Sequence, residues 1–101
     1  MKVTTETFEN EVLKSDKTVL LDLYADWCMP CRMLGPILEE IAAERDDVKV
    51  CKINVDEEEE LAERFEVSSI PMLALVKGGE VVATMIGLRP KDAVLEFIDG
   101  N

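Results

Sequence analysis

The sequence predicts an α/β fold, a central mixed β-sheet flanked by helices on both faces, and three observations lead there. Val19-Leu20-Leu21-Asp22-Leu23-Tyr24 is apolar at consecutive instead of alternate positions, the mark of a strand covered on both sides. Directly after it, Met33, Leu34, Ile37, Leu38, Ile41 and Ala42 recur at spacings of three and four, which is helical. The elements then follow the order β-α-β-α-β-α-β-β-α, a βαβαβ half joined to a ββα half.

In chain order, Lys2-Val3-Thr4 is a short edge strand, and Phe8, Val12 and Leu13 mark an amphipathic helix over residues 7–14. The strand at 19–24 leads through the turn Ala25-Asp26-Trp27-Cys28-Met29 into a helix from residue 30 to about 45. Pro36 lies inside that helix; it has no N–H for the carbonyl of Arg32 and should bend the helix there. Val and Ile make residues 48–55 the next strand. Residues 58–65 form a short acidic helix with Leu61, Ala62 and Phe65 inward. The apolar runs 72–76 and 81–86 flank Lys77-Gly78-Gly79-Glu80, a hairpin signal. Pro90 opens a last helix with Val94, Leu95 and Ile98 on one side.

The 101 residues make one domain, 1–101, with 48% apolar residues, enough to fold without metal or disulfide staples. The net charge of −11 repels phosphate backbones and anionic lipid, so neither nucleic acid nor membrane is an expected partner. No signal-like or spanning apolar run is present, and a cytoplasmic location is expected. Asp56-Glu57-Glu58-Glu59-Glu60 lacks the ligand alternation of a calcium loop and reads as a solvated helix start favoured by the helix dipole.

Cys28-Met29-Pro30-Cys31 carries the chemistry. A zinc or iron–sulfur site needs four ligands, whereas the chain has three cysteines and no histidine, so a carboxylate or a second chain would have to complete one. Cys51 lies in a strand and reads as a buried thiol. A pair placed strand–turn–helix instead suits redox work. Helix-start N–H groups stabilise a thiolate at Cys28, the exposed attacker, while Cys31, deeper by a turn, resolves the mixed disulfide. Pro30 is pre-organised for the first turn. Asp22 interrupts an apolar strand; either it lies at a solvated strand position or it is buried with a raised pKa and takes the proton of Cys31. Lys52, on the neighbouring strand, either pairs with Asp22 or is a surface lysine. Trp27 either pins the turn from the core or offers a flat apolar surface beside the nucleophile.

With these residues in hand, the chain resembles the thioredoxin family, bacterial or archaeal type. The likeness runs from residues 20–31 through Pro36-Ile37-Leu38, Lys52-Ile53-Asn54-Val55-Asp56, Val67, Ile70-Pro71, residues 77–80 and Gly87. It implies the thioredoxin fold, with Cys28 attacking, Cys31 resolving, Asp22 as the buried acid and Lys52 as its partner. It implies a cis bond before Pro71, where base rates alone favour trans, with the Ile70 backbone free to pair with a substrate chain. Gly87 then lets that chain approach closely. No cofactor is bound beyond the Cys28–Cys31 redox disulfide. The implied partners are protein disulfides and a thioredoxin reductase, NADPH- and flavin-dependent or ferredoxin-dependent; a monomer is expected.

Three positions depart from the family pattern. Met29 replaces a glycine, Met72 replaces a threonine after the proline, and Tyr24 replaces a tryptophan. The two methionines either widen tolerance for apolar substrates or fill space. The expected activity is protein-disulfide reduction. The same fold used as an oxidase or isomerase, or as a non-catalytic adaptor, is the alternative.

Overall fold

A computed structural model describes all residues 1–101. Four strands, β1 (Thr18–Tyr24), β2 (Val48–Asn54), β3 (Met72–Lys77) and β4 (Glu80–Ile86), form one mixed sheet in the order β2-β1-β3-β4. Strand β1 runs parallel to β2 and antiparallel to β3, and β4 returns antiparallel to β3. The helices are α1 (Met29–Glu44), α2 (Glu59–Arg64) and α3 (Lys91–Asp99), preceded by a short helical segment, Glu9–Leu13. No helix is long and apolar enough to cross a membrane.

The consecutive apolar residues of β1 serve two cores, because its pleat alternates. Val19, Leu21 and Leu23 pack with Phe8, Val12 and Leu61 on one face. Leu20 packs with Leu34, Leu38 and Ile41 of α1 and Val94 and Ile98 of α3 on the other. That double coverage is what apolar residues at consecutive positions require. It also sends Asp22, two residues from Leu20, to the α1 face.

Local chemistry fixes the helices. Arg45 ends α1 and forks onto Asp47 and Asp99, at 2.8–3.2 Å, tying that end to α3. Lys91 at the start of α3 reaches Glu40 and Glu44 of α1 at 2.9 and 2.7 Å. The helix runs through Pro36 as one element. Gly78 and Gly79 take φ of +57° and +80°, the left-handed pair a two-residue hairpin turn demands.

Two early elements differ from expectation. Residues 2–4 form no strand; a single parallel bridge joins Lys2 to Lys52 at the open edge of β2. The helix near residue 8 is wide-turned, with Lys14 N–H bonding Glu9 O across five residues at 2.9 Å. Reciprocal bonds between Thr4 and Thr7, at 2.9 and 3.3 Å, close its entry in the manner of a capping box.

Candidate redox site

The site forms where β1 hands over to α1. Cys28 is the N-cap of α1, in extended conformation, and its Sγ accepts the Cys31 N–H at 3.2 Å. Pro30 stands in the first turn, where its missing N–H costs nothing. A disulfide joins Cys28 and Cys31 across a Cα separation of 5.2 Å. The remaining thiol, Cys51, is buried among the core residues on the opposite sheet face, where burial pushes its pKa up. No three or more His, Cys, Asp or Glu side chains converge as a metal site.

A second segment meets the first at Ile70-Pro71. The Ile70–Pro71 bond is cis, and the Ile70 carbonyl oxygen lies 3.9 Å from Cys28 Sγ. Pro71 is buried, and its carbonyl accepts the Gly87 N–H at 2.8 Å. Gly87 has φ +97°, and a Cβ there would meet nothing within 4 Å. Its space is therefore open, as a groove for an incoming chain needs.

Both cysteines are nearly buried, Cys28 5% and Cys31 3% exposed. The expectation of a markedly more exposed Cys28 is corrected in the disulfide state: its sulfur is tucked between the helix start and the Ile70 carbonyl. Trp27 resolves the other way. It is 72% exposed, with its indole N–H donated to Asp56 Oδ2 at 2.9 Å. Met29 is also exposed, at 60%, directly beside Cys28.

Met72 lies off the groove. The pleat of β3 turns it with Ala74 and Val76 into the core packed by α2, so of the two readings for this methionine the structure favours space-filling.

Asp22 has no exposed surface, and neither carboxylate oxygen has a hydrogen-bond partner. Desolvation therefore raises its pKa from 3.8 to about 6, against a smaller opposing pull from Lys52. Lys52 stands opposite Asp22 in the parallel register. It makes no direct ion pair with Asp22; its ammonium sits over the Tyr24 ring, 4.8 Å from the centroid. Tyr24, Cys31, Arg32, Gly35 and Lys52 line a cavity of about 440 Å³ beside the resolving cysteine.

The acidic run is more than a solvated helix start. Asp56 holds Trp27, Glu57 pairs with Lys2 at 2.6 Å, and Glu58 accepts both the N–H and the hydroxyl of Thr5 at 2.9 and 3.0 Å. Asn54, buried beneath, accepts the Asp56 and Glu57 N–H groups. Trp27, Lys2 and Thr5 are distant in sequence from the run, and no local pattern announces them.

A helix-capping cysteine bonded to a second one three residues on, on a doubly covered mixed sheet, defines a thiol–disulfide oxidoreductase. The model of the thioredoxin family matches residues 1–100. Curated relatives include a thioredoxin of Rickettsia bellii, 48% identical over 98% of this chain and 95% of its own length. A thioredoxin of Pseudomonas aeruginosa is 42% identical over 100% and 94%, and one of Streptomyces clavuligerus is 46% identical over 92% and 87%. The chain belongs to the thioredoxin family, and its Cys28–Cys31 pair performs thiol–disulfide exchange.

Proposed function

We propose that the chain is a cytoplasmic, single-domain, monomeric protein-disulfide reductase. The observation that carries the reading is the Cys31 N–H donated to Cys28 Sγ at the N-cap of α1, which favours negative charge on that sulfur once the pair is reduced. The Cys28 thiolate attacks one sulfur of a substrate disulfide, a Cys28–substrate bond forms, and the other substrate sulfur leaves with the electron pair. Cys31, its proton accepted by Asp22, attacks Cys28; the substrate thiolate departs, and Cys28–Cys31 is left oxidised. Two electrons pass from the chain to the substrate, and a thioredoxin reductase drawing on NADPH and flavin, or on ferredoxin, restores them.

A titratable group near 6 suits this proton transfer, since its basic form dominates at neutral pH while its acid form stays accessible. Lys52 sets the field on Asp22 from the adjoining strand. Trp27, Met29, Pro30, Ile70, Pro71 and Gly87 border the substrate chain, with the Ile70 backbone pairing to it as a short strand.

Single substitutions test the order of events. Reduced Cys31→Ser should accumulate a covalent complex with an oxidised protein substrate through Cys28, and Cys28→Ser should accumulate none. A complex trapped by Cys28→Ser but not by Cys31→Ser would reverse the assignment.

A further inference from the structure

Helix α1 leaves the redox pair with Met29, Met33 and Ile37 four residues apart, so their side chains stack along one face. Met29 is 60% and Met33 55% exposed, and Ile37 is half-buried. Scattered surface methionines are unremarkable, but a continuous apolar ridge beginning beside the nucleophile is a surface shaped for contact. The ridge ends in a cavity of about 390 Å³ lined by Met33, Ile37, Leu88, Arg89 and Pro90.

Both walls of that cavity lead back to the exchange site. One runs along α1 through Met29 to Cys28. The other runs from Leu88 to Gly87, whose N–H is bonded to the Pro71 carbonyl. Arg89 holds this second wall, donating from Nε and Nη2 to the Ile86 carbonyl at 3.3 and 3.1 Å.

We propose that this cavity is a specificity pocket that takes a large apolar side chain of the substrate polypeptide, two to four residues from the cysteine bonded to Cys28. The inference rests on the reductase reading, because in the mixed disulfide the substrate chain is anchored at Cys28 and must cross the adjoining surface. Along α1 the five residues from Cys28 to Met33 cover about 7.5 Å. An extended chain covers that distance in two to three residues at about 3.3 Å each. Two flexible thioethers at the entrance adapt to leucine, phenylalanine or methionine alike.

The test uses reduced Cys31→Ser protein, in which exchange stops at the mixed disulfide. Its probes are short peptides with one cysteine activated as a mixed disulfide with thionitrobenzoate. Cys28 attacks the peptide sulfur, and thionitrobenzoate leaves with the electron pair and is read by its absorbance. Two peptides differ only in having leucine or alanine three residues from the cysteine. Their rate ratio within one protein cancels any change at Cys28 itself.

A ratio of about tenfold in favour of leucine is expected, the scale of burying one aliphatic side chain in part. It should fall toward one in Met33→Gln and, on the opposite wall, in Leu88→Gln. Equal rates for the two peptides in the parent would overturn the pocket and leave the exchange chemistry standing. A tenfold ratio that survives both substitutions would also overturn it, because the apolar contact would then lie elsewhere. Failure of both peptides to react would overturn the pocket and the reductase reading together.

Discussion

Trp27 and Asp56 are joined by a 2.9 Å hydrogen bond from the indole N–H to the carboxylate, across the top of the sheet from the end of β2 to the start of the redox turn. The bond gives a side chain 72% exposed a fixed polar partner beside Cys28. Because both partners face solvent, its worth is in positioning more than in stability.

Asp56→Ala should therefore lower stability by no more than about 1 kcal/mol while loosening the indole. Trp27 is the only tryptophan, so steady-state fluorescence anisotropy reads that loosening directly. A fall in anisotropy is expected, with Asp56→Asn, which keeps an acceptor, restoring most of it. Unchanged anisotropy in Asp56→Ala would show that the bond does not hold the ring.

The second prediction concerns pH. The Asp22 carboxyl titrates near 6 in the folded chain, above its ordinary 3.8, so the native state holds the proton more tightly than the unfolded state. Below about pH 3.8 the group is neutral in both states and contributes nothing. As pH rises from there through 6 the unfolded chain ionises first, and stability falls by up to about 3 kcal/mol. Asp22→Asn removes that loss: it should be more stable than the parent by about 1–3 kcal/mol at pH 8, with the gap closing below pH 4. Denaturant unfolding at several pH values measures the gap, and a gap independent of pH would contradict the buried-acid description.

Lys52 supplies a third. Its charge holds Asp22 lower than burial alone would, so Lys52→Gln should move the Asp22 titration above 6. Carboxyl carbon NMR shifts across pH report the midpoint. No movement would mean that the two groups do not feel each other.

The backbone offers a fourth. Glu66 follows α2 at φ +51°, with Val67 N–H bonded to Ala62 O and Glu66 N–H to Glu63 O, a helix-ending turn that glycine fits best. Glu66→Gly should gain roughly 0.5–1 kcal/mol in urea unfolding. A loss would show that the side chain contributes more than the conformation costs.

The sequence made the scaffold readable because its signals are local. Consecutive apolar residues at 19–24 require two cores, and the structure supplies both. The stripe from Met33 to Ile41 requires a helix, and the Gly78-Gly79 step requires a tight turn. The redox pair is legible for the same reason, since it stands at a fixed offset from a recognisable strand and helix start, whereas the break that Asp22 makes in its strand left a solvated and a buried position open, and the fold decides for burial. Side-chain pairing across the fold was not. Nothing near Trp27 names Asp56, and the choice of Lys52 between Asp22 and the Tyr24 ring depends on rotamer and space beside Gly35. Met72 was undecided because alternation says that it shares a face with Ala74 and Val76 but not which face borders the groove. The depth of Cys28 depends on the Ile70 carbonyl, which reaches it from a segment more than forty residues away.

The most direct test of the account is an equilibrium titration of the Cys28–Cys31 pair in redox buffers of defined poise, followed by Trp27 fluorescence and confirmed by thiol trapping. A reductase predicts a midpoint near the value typical of thioredoxins, about −270 mV. A midpoint close to the roughly −180 to −120 mV of disulfide isomerases and oxidases would contradict the reductant role and assign the site to making disulfides.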